Sequence, residues 1–283
     1  MNQVPNAYQA LRDLSVAEQN AAGVLLVLVC VLGQVELLGF IGEQKWVSPV
    51  ISRKFTHIAV GSTMLTVMSC FPIGHSWPGR LGVCGILMAF LFAFAGVSHM
   101  TDQQLAKLPS MLVHRVRRLE RACCRSGRRI ELMGGTFLYC AVLCQLVVFG
   151  WTTPLNIISM SVLFLGDGLA DPIGRTFGRG MQYRVLNFGT KSLPGNIACF
   201  LGGLAGAYAW GCLFLWAGHW GNQASFDWDR YLSAATWCVV AGTVGEAVGP
   251  PEADNVTIVL FSNIMGYFLA SSGYAPFLLE TLG

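Results

Sequence analysis

Long apolar runs separated by short polar stretches dominate the pattern of this chain. A helix needs about 20 mainly apolar residues to cross a bilayer. Runs of this kind begin near Ala21, Phe55, Leu81, Leu132, Thr153, Pro194, Ala234 and Val256. The fifth and seventh runs are interrupted by glycine, proline and charge at 166–171 and 245–251. The pattern predicts an all-α, polytopic transmembrane helix bundle with about eight spans, within a range of seven to nine.

The stretch 99–129 is the one long polar segment between two apolar runs. Leucine and valine recur in it at helical spacing, opposite several arginines. This spacing predicts an amphipathic helix at about 101–129 that lies on the membrane surface. Its arginines either bind anionic lipid headgroups or contact a substrate phosphate. We expect a polar N-terminal segment over 1–20 and one transmembrane domain over 21–283.

Composition supports a membrane protein, because 54% of the residues are hydrophobic and only 12% are charged. A soluble globular domain of this length is excluded on that balance. The ten cysteines form no CxxC pair and are expected to act as small hydrophobic residues. The first twenty residues lack the features of a signal or transit peptide, so we expect the first apolar run to be retained.

Basic residues are distributed unevenly over the predicted loops. Of the 18 Lys and Arg residues, 15 follow the first, third or fifth span. They are Lys45, Arg53, Lys54, Lys107, Arg115, Arg117, Arg118, Arg121, Arg125, Arg128, Arg129, Arg175, Arg179, Arg184 and Lys191. This asymmetry predicts that these loops face the cytoplasm or its topological equivalent, with both termini on the opposite side.

Two carboxylates, Asp167 and Asp171, lie in the stretch GDGLADPIGRTFGRG, where the fifth span meets the basic face. Residues four apart share a face of a helix. A carboxylate pair at a membrane boundary is costly unless a cation neutralises it. Mg²⁺ bound to nucleotide phosphates is suited to this role, because it uses one or two carboxylates plus phosphate oxygens. The alternative is a glycine-rich turn that carries charge at a membrane boundary.

The glycines of this stretch, among them Gly166, Gly168 and Gly178, allow backbone amides to approach phosphate. Pro172 removes a helical donor and predicts a break of the span at this point. Arg175 supplies a guanidinium group suited to phosphate.

Lys191 and Ser192 stand just before the sixth span, in NFGTKSLPGN. Ser192 is expected to cap that helix while Lys191 reaches a phosphate. A capping serine beside a membrane-anchoring lysine is the alternative. The motif is not a Walker A loop, because GxxxxGK[ST] is absent.

Arg53, Lys54 and His57 enter the second span on the same predicted face. Arg53 and His57 are four residues apart and can point into a shared cleft. His57 is a candidate general base or phosphate donor, and the alternative is an interfacial histidine beside a positive-inside anchor.

Glu246, Asp254 and Asn255 lie in GEAVGPPEADN, between the last two spans. They are candidate metal or nucleotide ligands, and an acid within a span is a functional suspect. An ordinary proline-rich turn is the alternative. Glu36 falls in the middle of the first span and could bond a neighbouring helix.

Five elements in this order resemble the phytol, farnesol and dolichol kinases, and the phytol and farnesol branch above all. They are SRKFTH, the glycine pair of ELMGGTFLYC, GDGLADPIGRTFG, KSLPGN and GEAVGPPEADN. The resemblance runs from about Ser52 to the C-terminus. Three positions depart from the family pattern: Pro172, Asn196 and Ala253.

The resemblance implies a multi-pass enzyme that uses CTP to phosphorylate an isoprenoid alcohol such as phytol, farnesol or geranylgeraniol. It implies catalytic roles for Asp167, Asp171, Lys191 and His57, and Mg²⁺ binding by Asp167, Asp171, Glu246 and Asp254. Nucleotide contacts are implied for Arg53, Lys54, Gly166, Gly168, Arg175, Gly178, Ser192 and Asn255.

Two other functions stay open on the sequence: a cytidylyltransferase that forms CDP-lipids, and a non-enzymatic protein that binds or transports lipid. The expected partners are the isoprenoid alcohol, the nucleotide and the bilayer, with no nucleic acid. The expected location is the endoplasmic reticulum or a plastid membrane, with the endoplasmic reticulum preferred and the motifs on the cytoplasmic or stromal side.

Overall fold

A computed structural model describes residues 6–280, except for 45, 125, 127, 186–188, 222 and 251–252. Lys45 and Arg125 of the predicted basic face lie outside the described residues. The helices are α1 (Asn6–Arg12), α2 (Val16–Glu43), α3 (Pro49–Met68), α4 (Trp77–Ser98), α5 (Asp102–Ala106), α6 (Ser110–Cys123), α7 (Gly135–Gln145), α8 (Pro154–Ser161), α9 (Asp167–Phe177), α10 (Leu193–Trp216), α11 (Trp228–Val248) and α12 (Asp254–Ser271). Short 3-10 or π turns occupy Arg129–Met133, Leu146–Gly150, Val162–Gly166, Gln223–Ser225 and Pro276–Leu279.

The predicted all-α membrane bundle is confirmed. Six helical segments of the described chain are long and apolar enough to cross a bilayer. They are Val16–Glu43, Trp77–Ser98, Arg129–Gly150, Pro154–Phe177, Leu193–Trp216 and Trp228–Val248. Helices α3 and α12 match the second and eighth predicted spans but fall outside these six, so the count of eight crossings stays a prediction.

A small hairpin is the exception to the helical architecture and was not predicted. Strand β1 (Gln182–Arg184) pairs with β2 (Thr190–Ser192) in antiparallel register, with Tyr183 opposite Lys191. Because β2 runs directly into α10, the hairpin fixes the position of Lys191 at the entrance to that helix.

The first long helix begins at Val16, five residues before the first apolar run. Ser15 caps it, and Glu18 bonds back to the Ser15 amide at 2.9 Å, which completes a capping box. The predicted polar N-terminal segment therefore shares its last residues with α2.

The single amphipathic helix predicted over 101–129 is wrong, because the segment forms two helices, α5 and α6. Pro109 stands between them as the N-cap of α6, since it lacks the amide that would continue α5. Helix α6 packs against α2 and α3, and its position at the membrane surface stays a prediction.

The predicted break at Pro172 is also wrong. The helix runs without interruption over Pro154–Phe177 and contains Pro172 inside α9. Its irregular part is the π turn Val162–Gly166, just before Asp167. A π turn inserts an extra residue and so changes which face the following residues present.

Closely packed side chains surround this π turn, where α8, α10 and α11 meet. Ile157, Val162, Phe164 and Val239 are fully buried. At Gly202 an added Cβ would lie 2.9 Å from the Leu165 carbonyl oxygen. The small residue thus lets α10 approach the π turn closely, as in other membrane helix pairs.

Candidate active site

A polar cavity of about 400 Å³ lies where α3, α9, the hairpin and the adjoining ends of α11 and α12 converge. These segments are far apart in the sequence. Predicted site residues that line it are Arg53, Lys54, Asp167, Asp171, Arg175, Lys191, Ser192, Glu246 and Asp254. The structure therefore gathers four polar motifs around one space, while the role of each residue stays a prediction.

Asp167 and Lys54 form a buried ion pair at the centre of this cavity. Lys54 Nζ lies 2.7 Å from Asp167 Oδ2 and 3.1 Å from the Asp167 main-chain oxygen. The side chains are only 4% and 7% exposed. Each charge depends on the other here, because an unpaired charge at this depth costs several kcal/mol of solvation.

His57 lies against the same carboxylate, with Nε2 3.5 Å from Asp167 Oδ2. Nε2 also lies 2.7 Å from the carbonyl oxygen of Leu163, in the π turn. Since a carbonyl only accepts hydrogen bonds, Nε2 carries the hydrogen in this arrangement. His57 is thereby placed as a donor beside Asp167, and only Nδ1 is left to act as a base.

Tyr139 fixes the position of His57 and was missed in the sequence. Its ring centroid lies 4.3 Å from that of His57. Its hydroxyl donates to the His57 main-chain oxygen at 3.3 Å. An aromatic residue inside an apolar span gives no signal of such a role.

Lys191 and Glu246 form a second ion pair, from β2 to α11, with Nζ 2.5 Å from Oε1. Burial lowers the pKa of the Lys191 ammonium group, but the charge and hydrogen bond of Glu246 outweigh this, so the pKa lies above its ordinary value. Lys191 therefore brings a permanent positive charge to the cavity.

Asp171 and Arg175 pair within α9, with Arg175 Nε 2.7 Å from Asp171 Oδ1. Arg175 is about half exposed, and this pair lies at the outer side of the cavity. Asp254 differs from the other three acids, because no Lys, Arg or His of the described chain pairs with it. Its carboxylate accepts a hydrogen bond from the Asn255 amide at 3.0 Å.

Four buried polar atoms around the site have no hydrogen-bond partner in the described part of the chain: Arg53 Nε, Asp171 Oδ2, Glu246 Oε2 and Asn255 Oδ1. A buried polar atom without a partner costs free energy and calls for an explanation. The open donor suits an anionic ligand. The three open acceptors suit a cation that this ligand brings with it.

Among the described residues, no three His, Cys, Asp or Glu side chains are arranged to hold a metal ion on their own. Mg²⁺ does not require such a cluster, because it commonly takes one or two carboxylates and completes its shell with phosphate oxygens and water. Asp171 and Glu246 each keep one carboxylate oxygen without a partner, and Asp254 has no ion pair in the described chain, so these three acids have free capacity for such an ion.

The three predicted phosphate-binding glycines lie elsewhere. Gly166, Gly168 and Gly178 are not among the residues that line the cavity. A Cβ on Gly166 would lie 2.8 Å from the Cys199 carbonyl oxygen, so this glycine serves the contact between α9 and α10. The lining glycines are Gly174, Gly189 and Gly195.

Ser192 caps α10, as expected, by accepting a hydrogen bond from the Gly195 amide at 3.3 Å. Asn196, which departs from the family pattern, lines the cavity and donates to the Tyr183 hydroxyl. It thus links β1 to α10. Gln182 and Thr190 of the hairpin also line the cavity and were not predicted.

A second cavity, mostly apolar, adjoins the first and encloses about 100 Å³. Aliphatic and aromatic side chains of α2, α3, α4 and α7 line it. At one end it reaches His57 and Asn255. The two cavities share four lining residues: Arg53, Lys54, Asp167 and Asp254.

Comparison with curated proteins gives relatives over most of the chain. A Triticum aestivum protein named probable phytol kinase, chloroplastic, is 25% identical over 268 residues, which cover 94% of this chain and 80% of the relative. The resemblance to the phytol and farnesol kinase family is confirmed. Phytol kinase 1 of Arabidopsis thaliana is 28% identical and covers 79% of this chain and 67% of its own length.

Farnesol kinase of Arabidopsis thaliana is 26% identical over 85% of this chain and 75% of its own length. No family model matches the chain. No solved structure matches it either, so the fold is described here from this chain alone.

Proposed function

We propose that this protein is a prenol kinase, which transfers the terminal phosphoryl group of a nucleoside triphosphate to an isoprenoid alcohol held in the bilayer. Its relatives are named for phytol and farnesol. CTP is the proposed donor, and phytol, farnesol or geranylgeraniol the acceptor, as the family resemblance implies.

The junction of the two cavities is the observation that carries this proposal. A polar, charged space suits a nucleotide triphosphate, and an apolar one suits an isoprenoid tail. The residues common to both are ionisable, so the hydroxyl of a bound alcohol would meet the phosphate beside Asp167 and Asp254. A non-enzymatic lipid carrier has no need for this charged neighbour.

Phosphoryl transfer depends mainly on positioning and on charge neutralisation. In the proposed enzyme Lys191, Arg53 and Arg175 neutralise the phosphates, and Lys54 holds Asp167 in place. Asp254, with Asp171, would hold Mg²⁺, which supplies Lewis-acid stabilisation of the transferred group. His57, whose Nε2 hydrogen is donated to the Leu163 carbonyl oxygen, lies beside the Asp167 carboxylate and leaves Nδ1 open to act as a base.

For location, we propose a plastid membrane. Every relative described above carries the word chloroplastic in its name. The endoplasmic reticulum, preferred on the sequence, receives no support from them.

The direct test is a transfer assay with purified protein in lipid nanodiscs. Protein, Mg²⁺ and γ-labelled CTP, ATP or UTP are mixed with phytol, farnesol or geranylgeraniol, and labelled lipid is identified by mass. We expect a prenyl monophosphate with release of nucleoside diphosphate. In a parallel reaction with CTP and a lipid monophosphate in place of the alcohol, labelled pyrophosphate and an unlabelled CDP-lipid would instead indicate the cytidylyltransferase.

Asp254→Asn is the informative variant, because it removes a carboxylate without breaking an ion pair. We expect turnover to fall by roughly 10²–10³-fold, the scale seen when a preorganised charge-stabilising group is lost. The matched control is Asp229→Asn, also in the first turn of a helix but exposed and away from the cavity. Equal activity of the two variants would refute the role of Asp254.

A further inference from the structure

The apolar cavity follows four helices from the site towards the opposite side of the bundle. Lining residues recur on one face of each helix, as Val27, Val31 and Val35 do on α2. On α3 the lining runs from Lys54 to Met64, ten residues that rise by about 15 Å. The cavity is therefore an elongated groove with its polar end at the junction.

Four side chains, one from each helix, line the far end of the groove: Val27, Met64, Leu87 and Leu143. On α2, α3 and α7 this residue is the lining residue farthest from the site. On α4, Leu87 is next to the farthest one, Ile86. Met64 is only 1% exposed, and Val27 is 2% exposed. These four residues are called the groove floor below.

A layer of packed side chains lies below the groove floor. One turn beyond Val27 on α2 is Gly23, and an added Cβ there would lie 2.6 Å from the ring of Phe71. Phe71 packs edge to face on Trp151, with ring centroids 5.1 Å apart. One turn beyond Met64, Met68 is fully buried. The groove therefore cannot extend past its floor without repacking this layer.

The length of the groove sets how much of an isoprenoid tail it covers. An extended chain advances by about 1.2 Å per bond, hence about 5 Å per isoprene unit. The rise of α3 along the groove, about 15 Å, matches the length of about three such units. The fourth unit of a longer alcohol has no place beyond Met64.

We propose that Met64 and the groove floor measure the acceptor chain, so that recognition ends at the third isoprene unit from the hydroxyl. This inference rests on the proposed function for the identity of the ligand. Van der Waals packing against the groove walls gives affinity for each unit inside the groove, since the tail enters from lipid and not from water. A unit outside it stays in contact with lipid or protein surface and adds no affinity.

Binding to reconstituted wild-type protein, without nucleotide, tests the measuring of chain length. The probes are geraniol, farnesol and geranylgeraniol, with two, three and four isoprene units. We expect farnesol to bind at least about tenfold more tightly than geraniol, since a single methylene in a fitted pocket already gives that ratio. Geranylgeraniol should bind no more tightly than farnesol. A further rise from three to four units would overturn the proposal.

Variants of Met64 test the floor itself. Met64→Phe raises the floor, so we expect the farnesol to geraniol affinity ratio to fall about tenfold while geraniol binding stays unchanged. Met64→Ala removes side-chain atoms above the packed layer, so we expect the geranylgeraniol to farnesol affinity ratio to rise above its wild-type value. The matched control is Leu65→Ala, because Leu65 is equally buried on α3 but does not line the groove.

A folded Met64→Phe protein with the wild-type affinity ratio would overturn the proposal, and melting temperatures of all variants establish folding. If Met64→Phe does not fold, Met64→Ala takes its place. A wild-type geranylgeraniol to farnesol affinity ratio in folded Met64→Ala would then overturn the proposal. Phosphate transfer is measured in parallel. The expected binding profile without transfer from any nucleotide would refute the proposed kinase and leave the groove proposal standing.

Discussion

Lys54 and Asp167 are the most enclosed ion pair in the described part of the chain. The sequence marked both residues as candidates, because each lies in a charged motif next to an apolar run. It could not pair them, since 113 positions separate the two along the chain. Only the packing of α3 against α9 brings the ammonium group to the carboxylate.

Substitution of this pair should reveal its mutual dependence. We expect Lys54→Met to destabilise the protein by about 3–5 kcal/mol, because it leaves the Asp167 carboxylate buried without a counter-charge. The double variant Lys54→Met with Asp167→Asn should regain much of that loss, and neither protein should transfer phosphate. Denaturation in detergent with a parallel activity assay measures both. Additive losses in the double variant would contradict the coupling.

The charge pattern of α6 predicts a helix with arginines along it but not the partners of those arginines. Its arginines were expected to contact lipid headgroups or substrate phosphate. Arg118 Nη1 lies 2.7 Å from Glu36 Oε2, and Arg121 Nη1 lies 2.8 Å from Glu43 Oε1, while contacts of the arginines with lipid or phosphate stay a prediction. Glu36 thus bonds a neighbouring helix, as its position in the first span suggested. The backbones approach closely at Gly39, where an added Cβ would lie 3.0 Å from the Arg118 carbonyl oxygen.

Loss of Arg118 should loosen α6 from α2. We expect Arg118→Gln to lower the melting temperature, because the residue contacts both Glu36 and Glu43. Its neighbour Arg117 is exposed and has no ion pair in the described chain, so Arg117→Gln is the matched control. Melting temperature and protease cleavage of 101–129 report the difference. Equal behaviour of both variants would show that the pairs do not hold α6.

At the scale of the whole molecule, the predicted topology puts the hairpin and the loop before α11 on opposite sides of the membrane. One crossing helix, α10, separates them. Exposed residues mark the two sides: Arg179 near the hairpin and Gln223 before α11. An impermeant maleimide applied to sealed vesicles therefore tests the orientation.

We expect Arg179→Cys and Gln223→Cys to be labelled from opposite faces, with Arg179→Cys on the side that the positive-inside rule assigns to the interior. Unsubstituted protein gives the background from the native cysteines. Labelling of both positions from one face would mean that α10 does not cross the bilayer and that the span count must change.

The sequence by itself determined that the protein lies in a membrane and that it is helical. It also determined the approximate position of each long helix and the polar motifs that belong to the site. These follow from local properties, namely apolar length, charge and the types of residue in a short stretch. The sequence also indicated the family, because its five motifs recur in a fixed order.

Only the tertiary structure decided which charges neutralise each other, that Gly166 and Gly168 lie outside the cavity lining, and that Tyr139 supports His57. It alone revealed the hairpin that carries Lys191 and the apolar groove that ends at Met64. The physical reason is that these features depend on contacts between distant segments. The rotation of each helix about its axis, including the change made by the π turn at Val162–Gly166, sets those contacts and leaves no local mark in the sequence.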